Sequence, residues 1–222
     1  MSAQEMNNFA WKITGRTPAG FAGGNWPPEN WPPENWREQL VARLGYRPRR
    51  IGILAELALY GALDCLDGAQ EKELPGDVLL RVCSLRGPAT VISQALEQSR
   101  EDLMLPFSFL QSQISQILPA LVGALNWQGD AAVVTASSPM NLALLASQQA
   151  GRSGMLLGWV EEGNPCRSYW IRLVPCATPP ASFIAAFSFE EMVSQGTQYW
   201  RLGQAGMEIV PCVTTTEPDK AH

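Results

Sequence analysis

Histidine is almost missing from this sequence. The only one among 222 residues is His222, the last, and chain ends are poorly held unless something ties them down. That scarcity excludes a buried catalytic imidazole, and with it Ser-His-Asp and Cys-His mechanisms run within the chain and most imidazole metal sites. Paired cysteines are missing too. Cys65, Cys83, Cys166, Cys176 and Cys212 are odd in number and make no C-x-x-C spacing, so zinc and thioredoxin-type chemistry are not expected; neither a metal nor a cofactor is implied. Positive charge is in short supply. With 16 Lys and Arg against 21 Asp and Glu, the formal charge is −5, the wrong sign for a nucleic-acid binder. The densest basic cluster, Arg47, Arg49 and Arg50 around Pro48, reads as a solvated helix start. No apolar run approaches the length of a membrane span. Residues 1–10 have neither the basic nor the apolar region of a signal peptide, and a reducing cytoplasm fits the cysteine usage.

What the sequence does contain is core material. Hydrophobic residues make up 46% and charged residues 17%, enough for one domain over residues 1–222 with no global disorder. Residues 9–13 predict a short first strand, and 14–24 a loop. A repeat follows: Asn25-Trp26-Pro27-Pro28-Glu29, Asn30-Trp31-Pro32-Pro33-Glu34, Asn35-Trp36. Proline pairs keep out of helix interiors and central strands, so 25–36 reads as an extended Trp- and Pro-rich loop, either a surface loop or a stacking strip for a partner. Residues 37–66 are helical in pattern with a break at Gly45–Pro48. The second part, from Arg49, is apolar on almost every side, as a helix inside a protein or against a second subunit is.

Asp77–Leu85 predicts a buried strand. A helix after Gly87-Pro88 turns Val91, Ile92, Ala95 and Leu96 to one face. Leu110, Ile114, Ile117, Leu118, Leu121, Val122 and Leu125 recur at three- and four-residue spacing, predicting a helix capped by Ser108 and kinked or divided by Pro119. Further strands are expected at Asp130–Ala136, Gly154–Val160, Tyr169–Val174 and Ser182–Phe189, with a helix opened by Ser137-Ser138-Pro139 between the first two. Met207–Val213 suggests an edge strand, and 214–222 a mobile tail. Strands alternating with helices make the fold class α/β, a layered mixed sheet with covering helices.

The segment from Leu85 to Glu162 carries the functional signal. It runs strand, Ser84-Leu85-Arg86-Gly87, helix, Pro106-Phe107-Ser108-Phe109, amphipathic helix, strand, Thr135-Ala136-Ser137-Ser138, helix, and closes on Met155–Glu162. This order resembles the N-terminal half of the β-ketoacyl synthases, and among them the short β-ketoacyl-synthase-like proteins of bacterial aryl polyene clusters. The likeness covers roughly 77–190, with a weaker match over Arg49–Leu66. It implies half of a thiolase-like fold. In the family a cysteine follows the strand and sits at the N-terminus of a buried helix, where unpaired N–H groups and the helix dipole favour thiolate. Here Ser137 falls at that position. The relatives' S-R-H-G becomes Ser84-Leu85-Arg86-Gly87, and their F-S-L-S-V-H-N becomes Phe107–Gln113, losing both His and Asn.

The resemblance implies a non-catalytic, chain-length-factor-like subunit that forms a heterodimer with a full-length β-ketoacyl synthase, with acyl carrier protein as a second candidate partner. Carried over, Phe107, Phe109, Leu110, Gln113, Ile114 and Ile117 are expected near the partner's acyl tunnel, and Val133, Val134 and Thr135 on the interface strand. The plain alternatives are core packing for the two phenylalanines and helix capping for Ser137. Glu161 and Glu162, adjacent on a strand, cannot easily converge on one bond and read as solvated strand-end charges. Two other functions stay open: a stand-alone acyl-chain or acyl-carrier-protein binding module, and a serine acyl hydrolase using Ser137. The latter lacks a usable histidine and a G-x-S-x-G.

Overall fold

The computed structural model describes residues 10–19, 31–100, 110–135, 153–178, 184–185, 199–203 and 206–210. Its elements are β1 (Ala10–Arg16), α1 (Trp36–Leu44), α2 (Ile53–Ala69), β2 (Leu79–Cys83), α3 (Ala89–Arg100), α4 (Ile117–Leu125), β3 (Ala131–Val134), β4 (Met155–Glu161), β5 (Arg167–Cys176), β6 (Ile184–Ala185), β7 (Tyr199–Gly203) and β8 (Gly206–Val210). The strands form one sheet in the order β3-β2-β4-β5-β1-β7-β8-β6. The first three are parallel, and every other pairing is antiparallel. The α/β expectation holds, as a mixed sheet with helices against it.

Helix α2 is the centre of the core. Leu54, Leu57, Ala58, Leu59, Ala62, Cys65 and Leu66 are all buried. They pack with Leu80 and Val82 of β2, Leu156 and Val160 of β4, and Trp170 of β5. Side chains alternate along a strand, so Leu79, Arg81, Leu157, Trp159 and Ile171 lie on the other face, and they are buried as well. Strands covered on both faces read as largely apolar runs, which is why Leu79–Cys83, interrupted only by Arg81, and Met155–Val160 were legible as strands. The approach of α2 to the sheet depends on Gly61: a side chain there would run into Ser168 and the Trp170 indole. Ser168 Oγ fills the space left by that glycine, donating to Leu57 O at 2.6 Å and accepting from Trp170 Nε1 at 3.1 Å.

Several boundaries differ from those expected, each for a local reason. The first strand continues to Arg16 because β5 pairs with it along its length. The helix break lies where Gly45 takes a left-handed C-cap (φ 75°) and donates to Val41 O; α2 starts only at Ile53. The helix expected through Leu110–Leu125 is divided upstream of Pro119. Gln113 is extended (φ −84°, ψ 117°), and a 3-10 turn over Ile114–Gln116 leads into α4. Pro119 sits in the first turn of α4, where its missing N–H has no helical partner to lose. The apolar face expected of α3 is split in burial: Val91 is buried, whereas Ile92 and Leu96 are 38% and 58% exposed. The strand near Met207 is not an edge, since β8 lies between β7 and β6. Strand β7 had no sequence signal. The helix expected from Ser137, most of the strand expected at Ser182–Phe189, and the tail at 214–222 lie outside the described residues.

Substituting Gly61→Val tests this packing. Overfilling a closed helix–sheet contact costs about 1–3 kcal/mol, so thermal denaturation of the variant is expected to show a midpoint lowered by several degrees.

Candidate subunit interface and the loops beside it

Three parallel strands end side by side, and two buried carboxylates at the end of β4 organise the segments around them. Glu161 closes β4 and is 6% exposed; Glu162 follows it at 5%. The expectation of solvated strand-end charges is therefore wrong. Glu161 turns to the loop after β2. It accepts from the Leu85 N–H, the Arg86 N–H at 3.2 Å, the Ser84 hydroxyl at 3.2 Å and the Trp159 indole at 3.0 Å. Ser84 Oγ in turn accepts from the Gly87 N–H at 2.9 Å. Glu162 points the other way and joins two helix starts, accepting from Leu54 N–H of α2 at 3.0 Å and Thr90 N–H of α3 at 3.1 Å. Helix N-termini leave N–H groups unpaired and favour negative charge, so one carboxylate serves both helices. Their signal in the sequence was two consecutive acids ending a buried strand, a position where unpaired charge is not tolerated.

Strand β3 forms the edge of the sheet. It pairs in parallel with β2, from Leu80↔Ala131 to Cys83↔Val134, and among the described residues no strand lies on its outer side. Ala131, Ala132, Val133 and Val134 are each only half-buried, although all four are apolar. An apolar edge with unpaired backbone groups is a template for another strand. Its start is pinned by Arg81, whose Nη1 and Nη2 donate to Asp130 Oδ1 at 3.0 Å and Oδ2 at 2.9 Å. These hydrogen bonds hold the Asp130 carboxyl below the usual aspartate range. Helix α4 lies beside β3 with Ile117 and Leu121 buried and Leu118, Val122 and Leu125 only partly covered.

The residues singled out from sequence divide into three groups. Val133 and Val134 are on the open edge, and Thr135 is exposed just beyond it. Gln113, Ile114 and Ile117 come together in a crevice against Pro88 and Glu162, with a volume of about 10 Å³, room for about one water. Leu110 stands apart from the core, 46% exposed. Phe107, Phe109 and Ser137 lie outside the described residues. Among the described cysteines Cys65 and Cys83 are buried and Cys166 and Cys176 half-buried; burial, then the Asp64 charge, push the Cys65 thiol well up. Among the described residues no three metal-ligating side chains converge, and no helix is long and apolar enough to cross a membrane.

Two outcomes follow from this geometry. Glu162→Ala strips the shared cap from α2 and α3 and is expected to cost about 1–3 kcal/mol, with faster hydrogen exchange at the Leu54 and Thr90 amides. Asp130→Asn is expected to cost about 1 kcal/mol or less, because the carboxylate is mostly in water. Its folded-state pKa is depressed, so its contribution is complete above about pH 4 and disappears as pH falls through the lowered folded value. The difference in melting midpoint between wild type and Asp130→Asn should thus close in acid.

No protein-family model matches the sequence, and no curated protein matches it. Solved structures do. One is a ketosynthase (ApeO) in complex with its chain length factor (ApeC) from Xenorhabdus doucetiae, at 16% identity and a TM-score of 0.47, covering 90% of this chain and 95% of that one. Another is the ishigamide ketosynthase/chain length factor, at 15% identity and a TM-score of 0.44, covering 70% of this chain and 48% of that one. At these values the likeness gives no residue a role. The structural neighbours of this chain are complexes of a ketosynthase with a chain length factor.

Proposed function

We propose that this chain is a non-catalytic subunit that pairs with a complete β-ketoacyl synthase along the outer edge of β3, and that it serves aryl-polyene-type chain assembly as a chain length factor does. The observation that carries the proposal is the edge itself. Four apolar residues, half-buried and with no strand on their outer side among the described residues, lie next to an incompletely covered apolar helix. A second strand and its helix laid there would satisfy the backbone groups and cover Val134, Leu118 and Val122. Chemistry within the chain has little to work with: Ser137 stands where the family carries cysteine, and the sole histidine is His222. In the complex, the loops held by Glu161 and Glu162 would present a fixed surface to the partner's acyl tunnel, and Phe107 and Phe109 would limit its depth. Acyl carrier protein is proposed as a partner of that complex. The reading as a stand-alone acyl binder needs a larger cavity than the one among the described residues at Gln113, Ile114 and Ile117, whose volume of about 10 Å³ has no room for an acyl chain.

Co-expression with the ketosynthase encoded nearest to it tests the reading. A stable one-to-one complex is expected. A charge on an edge strand opposes strand addition, so Val134→Lys should reduce recovery of the complex about tenfold or more, while Gln128→Lys, exposed and off the edge, should not. Absence of any complex with the wild-type chain contradicts the proposal. So does thioester turnover by the purified chain that Ser137→Ala abolishes.

A further inference from the structure

One short stretch of this acidic chain is strongly basic. Residues 37–50 carry five arginines and one glutamate, Glu38, a net +4, which leaves −9 for the rest of the chain. The stretch covers most of α1 and the turn that leads to α2. Part of its charge is used within the fold. Arg43 Nη2 lies 2.8 Å from Asp64 and 3.4 Å from Asp67, and Arg37 Nε lies 3.0 Å from Glu56. Arg47 and Arg49 are exposed, and neither makes an ion pair among the described residues. Helix stability does not account for them. They precede the N-terminus of α2, where a cation opposes the helix dipole. Arg50, exposed as well, takes a left-handed backbone (φ 65°), which few residues other than Gly, Asn and Asp adopt. Tyr46 stands 56% exposed in the same turn.

These arginines border a groove between α1 and the start of α2. Leu40, Val41 and Pro48 line it, with Arg37, Arg47 and Glu56 among the charged groups around them, and its volume is about 370 Å³. Leu40 is buried, so the base of the groove belongs to the core and keeps its shape. We propose that this groove docks an acidic amphipathic helix of a partner protein. Its apolar residues lie on Val41 and Pro48, and its carboxylates meet Arg47 and Arg49. Arginine pairs with a carboxylate through two parallel N–H donors, and Arg and Tyr are residue types on which interface energy concentrates. The charge is spread too widely for a small anion. It runs from Arg37 along the nine residues of α1, about 13 Å of helix, and on to Arg50, which matches an extended segment. The −9 carried by the rest of the chain repels the same helix from other faces, so charge directs it to one place. The groove uses neither β3 nor α4. Docking there is therefore independent of the pairing proposed above and leaves the edge strand open.

Fluorescence anisotropy of a labelled synthetic helical peptide, leucine on one face and glutamate on the other, titrated with the full chain, tests this. Binding is expected at low salt, weakening about tenfold or more as ionic strength rises from about 0.02 to about 0.5 M. Arg47→Glu combined with Arg49→Glu should weaken it about tenfold or more. The melting midpoint of that variant should stay where it is, because both side chains are exposed. Arg100→Glu, exposed in α3, should bind as the wild type does. Serine in place of the peptide's leucines should weaken binding by a similar factor, and lysine in place of its glutamates should abolish it. The proposal is overturned if the double variant binds the peptide as tightly as the wild type, or if the serine peptide binds as tightly as the leucine one. It is overturned equally if the glutamate peptide does not bind, whether or not citrate or phosphatidylserine vesicles do.

Discussion

Helix α2 has almost no polar face, and the rest of the molecule is arranged to cover it. The sheet takes one side through Trp170, Leu156 and Leu80. Helix α4 and the tryptophans at 31 and 36 take others. The few polar groups on α2 serve as fastening points. Asp64 receives the Ala19 N–H at 2.7 Å and Arg43 Nη2 at 2.8 Å, tying the segment after β1 and helix α1 to one buried carboxylate. Tyr60 separates two indoles and donates to Gln39 at 2.8 Å. At the N-terminus the helix takes its cap from Glu162. A helix buried on all sides cannot be satisfied by one layer, and this requirement explains why such distant segments converge on it.

The sheet is asymmetric about β4. On one side of β4 the pairing is antiparallel and extends through five strands to β6. On the other side β2 and β3 run parallel to β4, and β3 is the last strand among the described residues. Parallel strands bring their C-terminal loops to a common level, which is where open α/β sheets place their sites. Here the loop after β2 and the starts of α2 and α3 are held by carboxylates that accept from backbone N–H groups. Glu161 fixes the turn after β2, and Glu162 fixes the relation of α2 to α3. Neither is aimed at an open pocket. Their arrangement suits a surface that must keep its shape beside a partner, and an apolar edge strand lies next to it.

Much of this was legible in the sequence where the period was simple. The largely apolar runs at Leu79–Cys83 and Met155–Val160 and the apolar turns from Leu54 to Leu66 point to strands and a central helix within a few residues. The misreadings share a cause: partners distant in sequence decide the outcome. Glu161 and Glu162 read as solvated because nothing local reveals that four N–H or O–H donors near Ser84 and two helix starts need them. Ile92 and Leu96 share a predicted apolar face with Val91 yet are exposed, because periodicity identifies an apolar face but not what it meets. Pro119 read as a breaker because its place in the first turn depends on Gln113, which has no strong signal of its own. The edge position of β3 is a fact of sheet order, and strand order is not written in any single segment. Ser137, Phe107 and Phe109 rest on the family resemblance and lie outside the described residues.

The central claim is that the outer edge of β3 is where a ketosynthase pairs. Amide hydrogen exchange over 131–135, followed with and without a complete ketosynthase, tests it most directly. The account predicts rapid exchange at the outward-facing amides of the isolated chain and strong protection in the complex, with the β6–β8 end of the sheet unchanged. Equal exchange at β3 in both states, in a complex that does form, would contradict it.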